Sequence, residues 1–369
     1  MFASAMVIAL GAVAPTWARG LTERVSLGQD GAQGNGDSTS SAISAVGRFV
    51  AFESSATNLV PGDTNEQRDV FVRDRQTGRT ERVSVGPGGV EAAGFSEFPA
   101  ISADGRFVAF QSKASNLVSG DTNGVLDVFV RDRQTRTTRR VSLGPGGRQG
   151  HSHSFGAAIS ANGRFVAFSS AATNLVAGDT NARVDVFVRD RQNGATQRVG
   201  LGPDGVQGNG GSFTGTISAD GRFVAFVSDA TNLVRGDTNR ERNVFVHDRK
   251  MGATRRVSLG PGGRQSDGPS GIYDLSLSAD GRFVAFDSLA TNLVPGDTND
   301  AADIFVRDRK LGTTRRASLG PGNISGNGPS QDPAISADGR FVSFFSYATN
   351  LVPGDTNGVR DVFVRTLPP

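Results

Sequence analysis

The chain has 369 residues, no cysteine, one tryptophan and two tyrosines against 24 phenylalanines, which excludes disulfides, thiolate catalysis and cysteine-ligated zinc or iron–sulfur centres. Basic residues number 39 and acidic residues 36, so the net charge of +3 is too even to point to a nucleic-acid partner. With 37% apolar and 20% charged residues the chain has ample material for a core.

Residues 1–18, MFASAMVIALGAVAPTWA, carry no charge, and the apolar run Ala5–Val13 is followed by Pro15 and the small Ala18. This predicts a secretory signal peptide cut before Arg19. The run is shorter than the ~20 residues a spanning helix needs, and no later segment is apolar enough to span a bilayer as a helix. The expectation is an exported chain, periplasmic or extracellular, with no stable membrane span after signal removal and with residues 19–369 forming a single domain.

From residue 22 onward the chain repeats. GRFVAF begins at Gly47, Gly105, Gly163, Gly221 and Gly281, and GRFVSF at Gly339, at separations of 58, 58, 58, 60 and 58 residues. The string GDTN keeps the same phase, as do the RVSLG-like segments around Val25, Val83, Val141, Val199, Val257 and Ala317. The only length change falls between Val257 and Gly281, which assigns two extra residues to that loop. A fixed period of this size means a solenoid or a propeller. Within a unit, PAIS (A), RFVAF (B), DVFVRD (C) and RVSLG (D) each have strand-like composition, and B to D alternate with period two. Asp104–Gly105 and Thr77–Gly78 supply turns.

One four-stranded sheet cannot bury both faces, but six stacked face to face around a ring can. The chain starts with a lone D segment, Thr22–Leu27, and ends with a unit that has A, B and C but no D. The fold read from this is all-β: a closed six-bladed β-propeller, four antiparallel strands per blade, with the amino-terminal strand closing the last blade and hiding two sheet edges.

The block ISADGRFVAFxS followed by DVFVRDRxTGxTxRVS resembles the TolB-like β-propeller repeat. The family's Ser-x-Asp-Gly turn is matched at Ser102–Gly105, Ser218–Gly221, Ser278–Gly281 and Ser336–Gly339; Val46 and Asn162 replace its Asp in copies one and three. The likeness covers nearly all of residues 22–365, for the propeller part only, without TolB's α/β domain. It implies the fold, and an envelope or extracellular setting, but not TolB's own partners.

Strand order puts the short A–B and C–D turns on one rim and the long B–C and D–A loops on the other, where binding is expected. Just before strand A the repeats differ: Thr39/Ser40, Glu97/Phe98, Phe155/Gly156, Phe213/Thr214, Tyr273/Asp274 and Gln331/Asp332. Glu97, Phe155, Phe213, Tyr273, Asp274 and Asp332 are therefore the candidate ligand-binding residues, an aromatic and carboxylate lining for the channel mouth, weighed against repeat drift.

The GDTN loops place Asp, Asn and Asp at positions 1, 3 and 7: Asp63/Asn65/Asp69, Asp121/Asn123/Asp127, Asp179/Asn181/Asp185, Asp297/Asn299/Asp303 and Asp355/Asn357/Asp361. Two readings stand: weak calcium sites, or Asx turns that satisfy loop amides; no other cofactor is expected. His151, His153 and His247 lie in different settings and are too few for zinc. The GPGG segments lack the Lys-Ser/Thr of a phosphate loop and read as ordered turns.

No catalytic residue stands out, and the blades are too alike to single one out as an active site. The leading reading is a non-enzymatic binding or scaffold propeller for a protein, peptide or glycan. Its alternatives are a polysaccharide lyase or glycoside hydrolase using Glu97 with Asp274 or Asp332, and a purely structural exported repeat protein.

Overall fold

The computed structural model describes residues 23–367; the expected signal peptide lies outside them. Among the described residues, 23 strands form six antiparallel sheets, each following chain order from its first strand to its last. Blade one is β1 (Ser38–Ile43), β2 (Phe49–Ser54), β3 (Asp69–Asp74) and β4 (Arg79–Arg82). Blade two is β5 (Ser96–Ile101), β6 (Phe107–Ser112), β7 (Asp127–Asp132) and β8 (Thr137–Arg140); blade three is β9 (Ser154–Ile159), β10 (Phe165–Ser170), β11 (Asp185–Asp190) and β12 (Ala195–Arg198). Blade four is β13 (Ser212–Ile217), β14 (Phe223–Ser228), β15 (Asn243–Asp248) and β16 (Ala253–Arg256); blade five is β17 (Ser270–Leu277), β18 (Phe283–Ser288), β19 (Asp303–Asp308) and β20 (Thr313–Arg316). Blade six has three strands, β21 (Ser330–Ile335), β22 (Phe341–Ser346) and β23 (Asp361–Thr366). The molecule is an all-β, six-bladed propeller, as the repeat predicted.

Two strand positions differ from the sequence reading. The fourth strand lies before the RVSLG segment, at Arg79–Arg82 in blade one, because the turn at Thr77–Gly78 reverses the chain at once: Gly78 sits at φ +69° and its N–H bonds Asp74 O at 2.8 Å. The first strand begins at Ser96 rather than Pro99 and carries a bulge between Glu97 and Ala100. The two extra residues of blade five are not in a loop. They extend β17 to eight residues and widen its bulge to span Ser270–Leu275.

The core lies between blades. Val72 and Val83 of blade one pack with Val108, Phe110 and Phe129 of blade two. Burying each such side chain contributes roughly 1.5–3 kcal/mol, which neither blade gains alone. Gly163 shows how close the blades come: at φ +71° it takes a conformation that suits glycine, and a Cβ there would stand 2.1 Å from Phe107 Cδ2 of the preceding blade. A ladder of backbone bonds links the short turns around the propeller, from Ala45 N–H to Ala103 O (3.1 Å) through to Ala279 N–H to Ala337 O (3.0 Å).

That pattern stops at the seam between blades six and one. Residues 24–27 were expected to zip onto β23; in this structure they form no strand pairing with it. Val362 and Val364 are exposed, and no Ala337-to-Ala45 bond is formed. The amino-terminal segment instead sits on blade one as every D segment sits on the blade after it. Leu27 O accepts from Thr80 Oγ1 at 2.5 Å, as Val85 O accepts from Thr138 Oγ1 at 2.7 Å. The contacts to blade one satisfy this segment's carbonyl, while the edge of β23 stays unpaired.

Candidate functional site

The first strands of successive blades touch one another in order, whereas the fourth strands lie at the outer edge. The bulges in the first strands therefore line the central channel at the long-loop rim. Asp287 explains how the blade-five bulge is held. Its carboxylate is buried within β18 and lies 3.2–3.3 Å from the N–H groups of Ile272, Tyr273 and Asp274. Gly271, at φ +67°, permits the detour: a Cβ there would meet Val227 Cγ1 at 2.3 Å.

Tyr273 and Asp274 are thereby pushed out, and both are exposed. With Phe213, Arg242 and Leu275 they line a cleft of about 370 Å³ between blades four and five. Arg242 caps the Phe213 ring at 5.7 Å and pairs with Asp229 at 2.9 Å. Phe155 stands 6.4 Å from Phe213, ring to ring, and extends the aromatic surface into blade three. Although Asp274 is at the lip, protein crowding of its carboxylate, with the charges of Asp332 and Asp287 nearby, pushes it up to about 6; a bond from Leu275 N–H opposes this. Burial likewise pushes Asp287 up to about 6 against its backbone donors, and raises Asp332 against the pull of Arg360.

The sequence candidates thus divide. Phe155, Phe213, Tyr273, Asp274 and Asp332 form one run across blades three to six. Glu97 belongs to a separate group on blades one and two, 3.7 Å from Arg68 and accepting from Gln111 at 3.0 Å. Among the described residues, no hydrogen bond or ion pair joins Glu97 to Asp274 or Asp332.

A second variable column escaped the sequence reading. The residue before the last serine of each B strand reads Glu53, Gln111, Ser169, Val227, Asp287 and Phe345. The first three reach into the next blade's bulge: Glu53 accepts from Phe98 N–H (2.7 Å), Gln111 from Gly156 N–H (3.0 Å) and Ser169 from Thr214 N–H (2.7 Å). Asp287 instead accepts from backbone N–H groups of its own bulge. The signal was present, as a variable position inside a string that reads FVAFxS in five copies and FVSFxS in the sixth.

The GDTN loops are closed by arginine. In blade one, Arg82 lies 3.0 Å from Asp63, 3.2 Å from Asp69 and 2.7 Å from Glu91. Asn65 turns its amide N–H toward Asp69 (2.9 Å) while its oxygen accepts from Gln67 N–H, an Asx turn. The same cage recurs with Arg140 on Asp121 and Asp127, Arg198 on Asp179 and Asp185, and Arg316 on Asp297 and Asp303. Asn123 donates to Asp127, while Asn181 and Asn299 donate to Gly208 O and Gly326 O. In these four blades the arginine stands where the calcium reading needs a cation. Among the described residues no arginine pairs with the aspartates of the blade-six loop: Asn357 donates to Asp361 at 2.8 Å, and a buried oxygen of Asp355 has no hydrogen-bond partner. Among the described residues no group of three acidic or histidine side chains is arranged to hold a metal ion.

The histidines stay apart. His151 bonds Thr173, His153 accepts from Leu126 N–H, and His247 is buried against Thr254.

No family model and no curated protein matches this sequence. Solved structures do. The chain is similar to an oligogalacturonate lyase in complex with manganese (TM-score 0.53, 14% identity, 91% of this chain and 78% of that one). It is similar to the β-propeller domain of the trilobed protease from Pyrococcus furiosus, which has an open velcro topology (0.52, 9%, 89% and 82%). It also matches TolB from Acinetobacter baumannii (0.44, 17%, 76%), of whose length it spans 56%. What these share with the chain is the propeller fold. No helix among the described residues is long and apolar enough to cross a membrane.

Proposed function

We propose that this is an exported, non-enzymatic binding propeller that takes a glycan or peptide at the channel mouth between blades four and five. The observation that carries the reading is the blade-five bulge. It departs from the repeat, is fixed by Asp287, and presents Tyr273 and Asp274 beside Phe213. Aromatic faces with one aimed carboxylate suit a sugar ring or a peptide side chain bearing a donor. Export rests on the character of residues 1–18. A glycan and peptide array probed with the mature chain tests it. Replacing Tyr273 and Asp274 together by alanine is expected to abolish capture and leave the melting temperature within about 2 °C. Unchanged capture by this variant overturns the reading.

A second reading, a carbohydrate-active enzyme, is favoured by one observation: Asp274 and Asp287, both pushed up to about 6, share one bulge. A carboxyl in that range suits a general acid. Release of reducing ends or unsaturated uronates from acidic polysaccharides, lost in Asp274→Asn, would favour it.

A further inference from the structure

Between successive blades an arginine is held in one fixed pose. Arg133, Arg191, Arg249 and Arg309 each lie over a phenylalanine of the preceding blade at 4.4–4.5 Å. Each also donates through Nη1 to the carbonyl of a turn glycine: Gly105, Gly163, Gly221 and Gly281. In the first of these the remaining edge of the guanidinium is used, because Arg133 Nε donates to Glu81 on the outer strand of blade one. Arg75 does the same with Glu23.

At two other interfaces the carboxylate is replaced by a second positive charge. Glu81 becomes Arg139 in blade two and Arg255 in blade four, facing Arg191 and Arg309. The like charge is felt: desolvation foremost, and then Arg139 or Arg255, pull Arg191 and Arg309 below the usual arginine range, against Asp132 and Asp248. Those two carboxylates are already held in bidentate pairs by Arg106 and Arg222. Arg139 and Arg255 are exposed, and among the described residues their side chains make no hydrogen bond or ion pair. Clefts of about 670 and 590 Å³ lie at these two places, with Arg189 and Arg307 also in their walls.

We propose that Arg139 with Arg191, and Arg255 with Arg309, form two oxyanion sites, each taking a sulfate, phosphate or carboxylate group in the position where Glu81 offers its own carboxylate between blades one and two. Stacking on phenylalanine and the glycine carbonyl fix one guanidinium in advance, so an incoming anion meets a preorganised donor edge plus an exposed second cation. The sites are at the outer edge, apart from the channel mouth, and stand or fall independently of it.

Calorimetric titration of the mature chain with inorganic sulfate and with dextran sulfate, at fixed ionic strength, tests the proposal; neutral dextran is the blank. Two sites per chain are expected for sulfate, one in Arg139→Glu or Arg255→Glu, and none in the double variant. The double variant is also expected to melt at a higher temperature, since it restores the Glu81–Arg133 arrangement twice. Dextran sulfate binding tenfold or more tighter than sulfate assigns the sites to a polymer; equal affinity per site assigns them to free anions. Sulfate binding that survives in the folded double variant, or no binding by the unmodified chain, overturns the proposal.

Discussion

Arg198 Nη1 lies 3.2 Å from Asp185 and 3.0 Å from Asp179, and all three side chains are almost sealed from solvent. Burial raises both carboxylates, and the guanidinium pulls them back. The cage ties the B–C loop to the outer strand of its own blade, which fixes the long-loop rim around the channel mouth. Arg198→Ala leaves two buried carboxylates uncompensated and is expected to cost about 3–5 kcal/mol. Denaturant unfolding measures it; a loss below about 1 kcal/mol would mean that water takes over the arginine's role.

His247 occupies the strand position held by arginine in the other blades, where Arg189 reaches Leu143 O at 3.2 Å and Thr196. Burial, followed by the charge of Arg249, lowers the imidazole to about 4, and its Nε2 has no partner. The folded value lies below the unfolded value of about 6.5, so the unfolded chain binds the extra proton. Stability from this group is present above about 6.5 and is lost as the pH falls toward 4. His247→Arg should remove that slope and raise the melting temperature at pH 5 more than at pH 7. Equal increments at the two pH values would contradict it.

Asp287 works in the opposite direction. Its folded pKa, about 6, lies above the ordinary value of about 3.9. The folded chain therefore holds the extra proton, and stability is gained as the pH falls from about 6 to 4 and lost on the way back up. Relative to Asp287→Asn, the unmodified protein should lose on the order of 2 kcal/mol between pH 4 and 7. Paired urea titrations at the two pH values measure it, and parallel behaviour would show that Asp287 is not the titrating group.

Asp355 in blade six matches Asp63 in blade one, and the sequence TERVSLG carrying Arg24 matches TERVSVG carrying Arg82. By sequence, Arg24 corresponds to Arg82, the arginine that closes the blade-one loop. Blade one pairs Val72 with Glu81, so the same register would set Val364 against Glu23. Because the amino-terminal segment sits on blade one and does not pair with β23, Glu23→Cys with Val364→Cys, in a chain otherwise free of cysteine, is expected to form no cross-link within one molecule on mild oxidation, whereas an intramolecular cross-link that raises the melting temperature would show the ring closing through this segment. A cross-linked dimer, or none, would mean that the seam does not close within one chain.

The period, the strand alternation and the constant turn residues made the six-bladed fold legible in the sequence, because a sheet with two apolar faces has few ways to bury both. Phe213, Tyr273 and Asp274 were legible as variable residues in a constant frame. Their convergence was not: it depends on Asp287 capturing three amides of its own bulge, a bond between strands that no periodicity encodes. The cages were hidden for the same reason. Asp185 and Arg198 are thirteen positions apart, and only the pairing of the third strand with the fourth decides that the aspartates meet an arginine. Local pattern determined which strands form, whereas the partners of the charges were decided by packing, since a buried charge is stable only where another chain segment brings its counterpart.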